Sequence, residues 1–264
     1  MGHTFYIDGI HVTDPAWGNT GTSLPYNFIQ EVEVKTGGYQ AEFGRELGGI
    51  VNVVTRTGSN RFEGQVFGYL TNGRLTGEKR GTPGGVRVRA FTTYDLGFGF
   101  GGPLVKDRLW FYAAYNPQVE TRDAEIATLG IHQDRAVTHR FAGKLTWQAG
   151  PNTSFTFTSV GDPTVRNSVG STYTLGGELP DPNQILDLTT SLGKQKRGGL
   201  SFSARGRQAV SPRLLLEASA SRLRDKWADL PRESSGMEKP FYGDLVESLW
   251  SGGYGRLRNQ IRGR

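Results

Sequence analysis

The chain has 264 residues, no cysteine, 38 glycines and a formal net charge of +6. Without a thiol there is no disulfide framework, thiolate zinc site, iron–sulfur cluster or cysteine nucleophile. Glycine runs at about twice its ~7% average usage without a Gly-X-Y period, so it serves turns and strands rather than collagen or a linker. The longest apolar run, Leu109 to Tyr115, is far shorter than the ~20 residues of a membrane-spanning helix. The opening MGHTFYIDG carries no basic-then-apolar secretory signal, so either the chain stays inside the cell or its beginning lies upstream.

In chain order, FYIDG (5–9), FIQEVEVK (28–35) and IVNVVTR (50–56) read as three short strands. Between the last two, TGGYQAEFGRELGG (36–49) holds five glycines, and one helical turn is expected around Gln40 to Phe43. This unit is too small to hold a large core alone and has to lean on something else.

From about residue 61 to 224 the apolar residues recur at every second position on seven segments. They are Phe62, Val66 and Leu70; Tyr94, Leu96, Phe98 and Phe100; Leu109, Phe111, Ala113 and Tyr115; and Phe141, Leu145 and Trp147 against Arg140, Lys144, Thr146 and Gln148. Phe155 and Phe157, then Leu200, Phe202 and Ala204, then Leu214, Leu216, Ala218 and Ala220 complete the set. Helical spacing is scarce, because Pro and Gly interrupt nearly every window long enough for a helix.

The connections alternate in length. GGPLVKDR (101–108), AGPNT (149–153) and AVSPR (209–213) are short hairpin turns, whereas about 71–92, 117–138 and 160–197 read as long polar loops. Short and long in alternation is the layout of an outer-membrane β-barrel, with tight periplasmic turns and long outer loops. Trp110, Tyr112, Tyr115 and Trp147 are expected in an aromatic girdle at the membrane interface. A soluble antiparallel sheet with one face on a core shows the same alternation.

The run FYIDGIHVTDP…LPYNFIQEVEVKTGGYQAEFGRELGGIVNVVTRTGSNRFEG resembles the second half of the plug domain of TonB-dependent outer-membrane receptors, closest to the Oar-like subgroup. Glu31 to Val34, the pair Phe43-Gly44, and Gly48-Gly49-Ile50-Val51-Asn52-Val53-Val54-Thr55 fill the family pattern in order, and GGPLVKDRLWFYAAY (101–115) is similar to the turn joining the second and third barrel strands. Thr36-Gly37-Gly38-Tyr39 stands where most siderophore receptors have an Arg-Gly-Pro.

The resemblance implies a mainly β fold: residues 1–58 as the C-terminal half of a mixed α/β plug, and residues 59–264 as the N-terminal part of a transmembrane antiparallel β-barrel, about seven to eight strands of it. It also implies that the TonB box, the first half of the plug and the signal peptide are absent from this chain. The implied function is energy-coupled uptake across the bacterial outer membrane, with lipid and lipopolysaccharide around the barrel, a TonB-type complex as motor, and a small molecule or peptide as cargo. Gly37, Gly38, Tyr39, Phe43, Gly44, Arg45, Gly48, Gly49 and Asn52 would be the plug motif. Glu31, Glu33, Lys35, Glu42, Arg45 and Glu46 are candidates for plug–barrel ion pairs to the lumen-facing Arg140 and Lys144, partly hydrated and worth ~1 kcal/mol or less each.

No G-x-S-x-G, H-E-x-x-H or phosphate-loop pattern occurs, so no enzyme and no cofactor is expected. His3, Asp8, His11 and Asp14 fit no metal-ligand template; Asp8 and Asp14, each beside Gly or Pro, read as turn formers. From Lys194 onward there are 15 Lys and Arg against 7 Asp and Glu. Arg205 and Arg207 fall on the lumen side of a strand and the others in loops, which suits a pore lining or contact with anionic lipopolysaccharide rather than a nucleic-acid face. Two other classes remain beside the receptor: a passive barrel or adhesin, and a soluble β-sandwich module.

Overall fold

The computed structural model describes residues 3–13, 20–37, 48–76, 87–126, 130–169, 192–226, 228–232, 241–244 and 249–252. A small mixed sheet comes first, built from β1 (Thr4–Ile7), β2 (Ile10–His11), β3 (Ile29–Lys35) and β4 (Ile50–Thr55) in the order β2-β1-β4-β3. β1 and β4 are parallel, and the other pairs are antiparallel. Asp8 (φ 49°) and Gly9 (φ 80°) make the tight β1–β2 turn in left-handed backbone, which Asp tolerates and Gly adopts freely.

The rest is one large antiparallel sheet: β5 (Glu63–Asn72), β6 (Arg87–Val105), β7 (Leu109–Ile126), β8 (Gly130–Gly150), β9 (Thr153–Gly161), β10 (Thr164–Val169), β11 (Leu192–Arg197), β12 (Gly199–Ser211), β13 (Leu214–Asp225) and β14 (Ala228–Pro231). β8 pairs with β9 over Phe141 to Gly150 and with β10 over Arg135 to Thr138, so β9 and β10 are one strand interrupted at Asp162-Pro163. β11 and β12 are likewise joined across Gly198 (φ 95°). With β13 and β14 merged in the same way, the ten segments amount to the seven strands anticipated from the period-two pattern. β15 (Phe241–Asp244) and β16 (Leu249–Gly252) form a separate hairpin. The fold is antiparallel β throughout its large sheet, and its described helical pieces are two single 3₁₀ turns, at Tyr26–Phe28 and Gly73–Leu75. The turn expected at Gln40 to Phe43 lies outside the described residues.

Cross-strand partners share a face, and the register places the apolar rows on the outer one. Phe111, Leu145, Phe157, Ala204 and Ala220 run across five strands, flanked by the row Ala113, Gly143, Ser159, Phe202 and Arg222. Other large side chains of this face, on β5 and β6, are left open: Val66 is 78% exposed, Leu96 63% and Phe98 50%. Along β7 the outward apolar set runs from Leu109 to Val119, about 25 Å of height at a strand tilt near 40°, which matches the outer apolar band of a membrane barrel.

Two expectations are corrected by the register. Trp110 and Tyr112 do not join an outward girdle: they share the inner face with Thr146 and Lys144, and Tyr112 is buried there. Alternation dictates this, since neighbours of Leu109 and Phe111 must point the other way. Tyr115 and Trp147 do face outward; Tyr115 Oη lies 2.6 Å from His139 Nδ1, which satisfies both polar groups, and Trp147 packs on Phe155.

One connection read as a long loop, about 117–138, is also much shorter. β7 continues to Ile126 and β8 begins at Gly130. Charge complementarity replaces apolar alternation there: on the inner face Arg122 Nη2 lies 3.0 Å from Asp134 Oδ2, and Arg166 Nη2 lies 2.8 Å from Glu120 Oε2. Short turns remain at the other end, where Asp107 (φ 63°) closes β6 onto β7.

Candidate functional site

The small sheet packs on the inner face of the large one. Ile7, Ile10, Val12 and Phe28 from the first 60 residues meet Tyr112, Ala114, Ala142 and Val160 of the wall in one buried cluster. Phe28 and Val160 are completely covered, each such side chain contributing about 1.5–3 kcal/mol. Phe28 also packs edge-on against Phe67, the inward residue between Val66 and Gly68, at 6.2 Å. Gly97, opposite Phe67 on β6, makes this possible, because a Cβ there would sit 2.2 Å from the Phe67 ring.

Polar contacts pin the same interface. Asp8, at the β1–β2 turn, forms an ion pair with Lys144 of β8 at 2.7 Å, and their side chains are only 8% and 7% exposed. Lys144 Nζ also donates to the Thr55 carbonyl at 2.8 Å, while the Asp8 carboxylate accepts from the Thr55 amide at 3.1 Å and from the Thr55 hydroxyl. The turn, the last residue of β4 and the wall are thus tied in one buried knot. A second tie is Asp162, at the β9–β10 break, which accepts from the Ser23 amide at 2.7 Å and the Gly199 amide at 2.9 Å. A third is Gln65 Nε2, donating to the Asn27 carbonyl at 2.8 Å.

Where the chain leaves β4 for β5 it runs against the β6–β7 turn. Asn60 Oδ1 accepts from the Asp107 amide at 2.9 Å and from Trp110 Nε1 at 2.7 Å. The Thr57 and Thr146 hydroxyls are 3.3 Å apart, and a Cβ on Gly58 would collide with the Phe111 carbonyl at 2.2 Å.

Of the residues singled out from the sequence, Lys144 reaches the small sheet, and its partner there is the turn residue Asp8 rather than one of the glutamates of β3. Arg140 is inward and donates to Gln118 at 2.6 Å. Glu31 and Glu33 lie on the exposed edge strand β3, where Glu33 pairs with Lys35 at 3.4 Å. Gly49 donates its amide to His3 Nδ1 at 3.1 Å, Gly37 is exposed, Gly48 is half-buried, and Asn52 sits mid-β4 opposite Tyr6 with its side-chain oxygen buried. Gly38, Tyr39, Glu42, Phe43, Gly44, Arg45, Glu46 and Asp14 lie outside the described residues. His11 packs edge-on against Tyr6, and no group of metal-ligating side chains converges among the described residues. Arg205 and Arg207 face inward and both reach Glu217, at 3.4 Å and 3.0 Å.

An outward apolar band, tight turns at one end of the strands and a small domain seated on the inner face define the wall of an outer-membrane β-barrel. The outer membrane beta barrel domain family matches residues 54–129. The TonB-dependent transporter Oar of Myxococcus xanthus is 42% identical over 118 residues, which are 43% of this chain and 11% of Oar. The outer membrane transporter YddB from Escherichia coli has the same fold, with a TM-score of 0.70 at 13% identity over 96% of this chain and 35% of its own. The siderophore receptor PirA from Acinetobacter baumannii gives 0.56 at 18% identity, over 94% and 34% respectively. The chain is therefore similar to TonB-dependent outer-membrane receptors, Oar among them, and its location is the outer membrane. It spans about a tenth of Oar's length and about a third of those solved receptors. These relatives are transporters and receptors rather than enzymes.

Proposed function

We propose that residues 1–58 are the C-terminal half of a plug, that residues 59–264 are the N-terminal part of the barrel around it, and that the protein carries out energy-coupled uptake. A TonB-type complex pulls on the plug, the inner surface opens, and a small molecule or peptide passes along the wall. The observation that carries this is the Asp8–Lys144–Thr55 knot. It is a buried ionic contact between two units that are also joined by an apolar cluster and by the Asp162 and Gln65 hydrogen bonds, and its two charges are lost as a unit once water reaches them. The glycine-bearing segment with Gly37, Gly38, Tyr39, Phe43, Gly44, Arg45, Gly48 and Gly49 supplies the chain that lets the small sheet shift.

Val160→Cys tests this, because the wild-type chain has no cysteine and Val160 is fully covered by the small sheet. In whole cells a maleimide is expected to label this thiol at least threefold faster when the inner membrane is energised than after an uncoupler. Equal rates in the two conditions would refute energised movement and favour a passive barrel.

A further inference from the structure

Three neighbouring strands of the wall are interrupted at one height. β9 gives way to β10 at Asp162-Pro163, β11 to β12 at Gly198, and β13 to β14 after Asp225. The interruptions lie side by side: the Asp162 amide donates to the Gly199 carbonyl at 3.1 Å, and the Lys226 amide to the Gly198 carbonyl at 3.1 Å. Pro163 has no amide to offer the ladder. Gly198 sits in left-handed backbone (φ 95°) and approaches the Asp162 carbonyl so closely that a Cβ would collide with it. β7 and β8, by contrast, run past this height unbroken and stay paired from Leu109 to Ile126. Above the line, β10, β11 and β14 pair with one another. Among the described residues their ladder to the rest of the wall is short, Thr164 to Asn167 against Arg135 to Thr138 of β8, helped by the Arg166 ion pairs with Glu120 at 2.8 Å and Asp134 at 3.5 Å.

The small sheet's chain is fastened at the centre of this line. Asp162 accepts from the Ser23 amide with one carboxylate oxygen and from the Gly199 amide with the other, and its carbonyl accepts from the Thr164 hydroxyl at 3.0 Å. One residue thus joins the segment that precedes β3, the start of β12 below the line and the start of β10 above it. Beside it Thr22 leans over Gly199, its hydroxyl 2.7 Å from where a Cβ would stand. That hydroxyl and the one on Ser201, two residues along the same face, are buried without a hydrogen-bond partner among the described residues. Buried polar groups left unpaired cost free energy, and water entering an opened line would satisfy both. The shut arrangement is therefore held by the Asp162 bonds and opposed by two orphan hydroxyls, which is the balance a two-state element needs.

We propose that this line is a crease, that β10, β11 and β14 turn on it as a flap at the end of the wall remote from the short turns, and that Ser23 on Asp162 holds the flap in place until the small sheet leaves. The inference rests on that departure, the movement proposed above, and gives it a second effect: the far end of the wall loosens only when the inner face is uncovered. In the test the full protein is extracted from outer membranes in detergent, and amide hydrogen–deuterium exchange is read by mass spectrometry. Lys144→Met frees the small sheet at Asp8 and leaves the crease residues unaltered. It is expected to speed exchange in Thr164–Val169 and Leu192–Arg197 at least fivefold, with Val119 to Ile126 of the unbroken β7 staying within twofold of the parent. Ser23→Pro, which deletes the donor to Asp162, is expected to speed the same two segments by itself, and adding Lys144→Met to change them less than twofold further. Asp162→Ala, which removes the acceptor instead, is expected to match it. Exchange in β10 and β11 within twofold of the parent, while Lys144→Met still raises maleimide labelling of Val160→Cys, overturns the crease and leaves the movement standing. Labelling that does not rise overturns both. Equal acceleration in β7 also overturns the crease, since it reports a wall loosened throughout.

Discussion

Replacing Lys144 by Met removes the ammonium while keeping most of the side-chain volume. If the Asp8 contact were a hydrated surface pair, the change would cost about 1 kcal/mol or less. Both side chains are almost entirely covered, however, and Lys144 also holds the Thr55 carbonyl. Removing one partner of a buried pair strands the other charge, which costs about 3–5 kcal/mol. Asp8 keeps its bonds from the Thr55 amide and hydroxyl, which brings the figure toward the lower end. With about 1.4 kcal/mol for each factor of ten, a loss near 3 kcal/mol makes the small sheet leave the wall about a hundredfold more often. Maleimide labelling of Val160→Cys in isolated outer membranes reads that population directly, since the thiol is reached only when the sheet lifts. Lys144→Met is expected to raise the labelling rate at least tenfold. Adding Asp8→Asn is expected to recover part of the loss, because no lone charge is then buried and Asn accepts the left-handed backbone at φ 49°. A rate in Lys144→Met within twofold of the parent would refute the reasoning.

Other perturbations follow from the same geometry. Phe98→Asp and Leu145→Asp each put a carboxylate on the lipid face, costing about 2 kcal/mol at mid-depth, and are expected to reduce the heat-modifiable, folded fraction in outer membranes; Thr146→Asp, facing inward, is expected to leave it unchanged. Gly97→Leu drives a Cβ into the Phe67 ring and is expected to lower the thermal midpoint by an overpacking cost of about 1–3 kcal/mol, with Phe67→Ala restoring much of it. Asp162→Ala leaves the Ser23 and Gly199 amides without their acceptor, at about 1–3 kcal/mol for a buried unsatisfied group; faster protease cleavage near residues 20–25 is the expected sign.

The strands that cross the apolar band were legible because each alternates on its own. Phe98, Phe111, Leu145 and Phe202 declare their face through their immediate neighbours, and the turns at Asp107, Pro151 and Pro212 declare themselves through Pro, Asp and Gly. The strand extensions from Pro117 to Ile126 and from Gly130 to Thr138 were hidden, since their alternation is written in charge: Glu120, Arg122, Asp134 and Arg166 complement one another only after the strands pair. The inner contact was half legible. A lysine set between Gly143 and Leu145 marked the lumen side, yet its partner is 136 residues away in a turn. Asp8-Gly9 has the signature of a turn, and nothing local shows that the turn is buried against a wall. The remaining signal was the large apolar content of FYIDGIHV in a unit too small for its own core.

The most direct measurement of the central claim, a small sheet seated on the inner wall of an outer-membrane barrel, is a disulfide at the edge of that seat, where the chain leaves β4 along the wall. Thr57 and Thr146 place their hydroxyls 3.3 Å apart, and the chain contains no cysteine of its own. In outer membranes, Thr57→Cys/Thr146→Cys is expected to cross-link nearly completely under mild oxidant, giving a loop seen as a reducible mobility shift. Thr57→Cys paired with Leu145→Cys, one residue along but on the opposite face, is expected to give none. Absence of the first cross-link, or equal yields from the two pairs, would contradict the account.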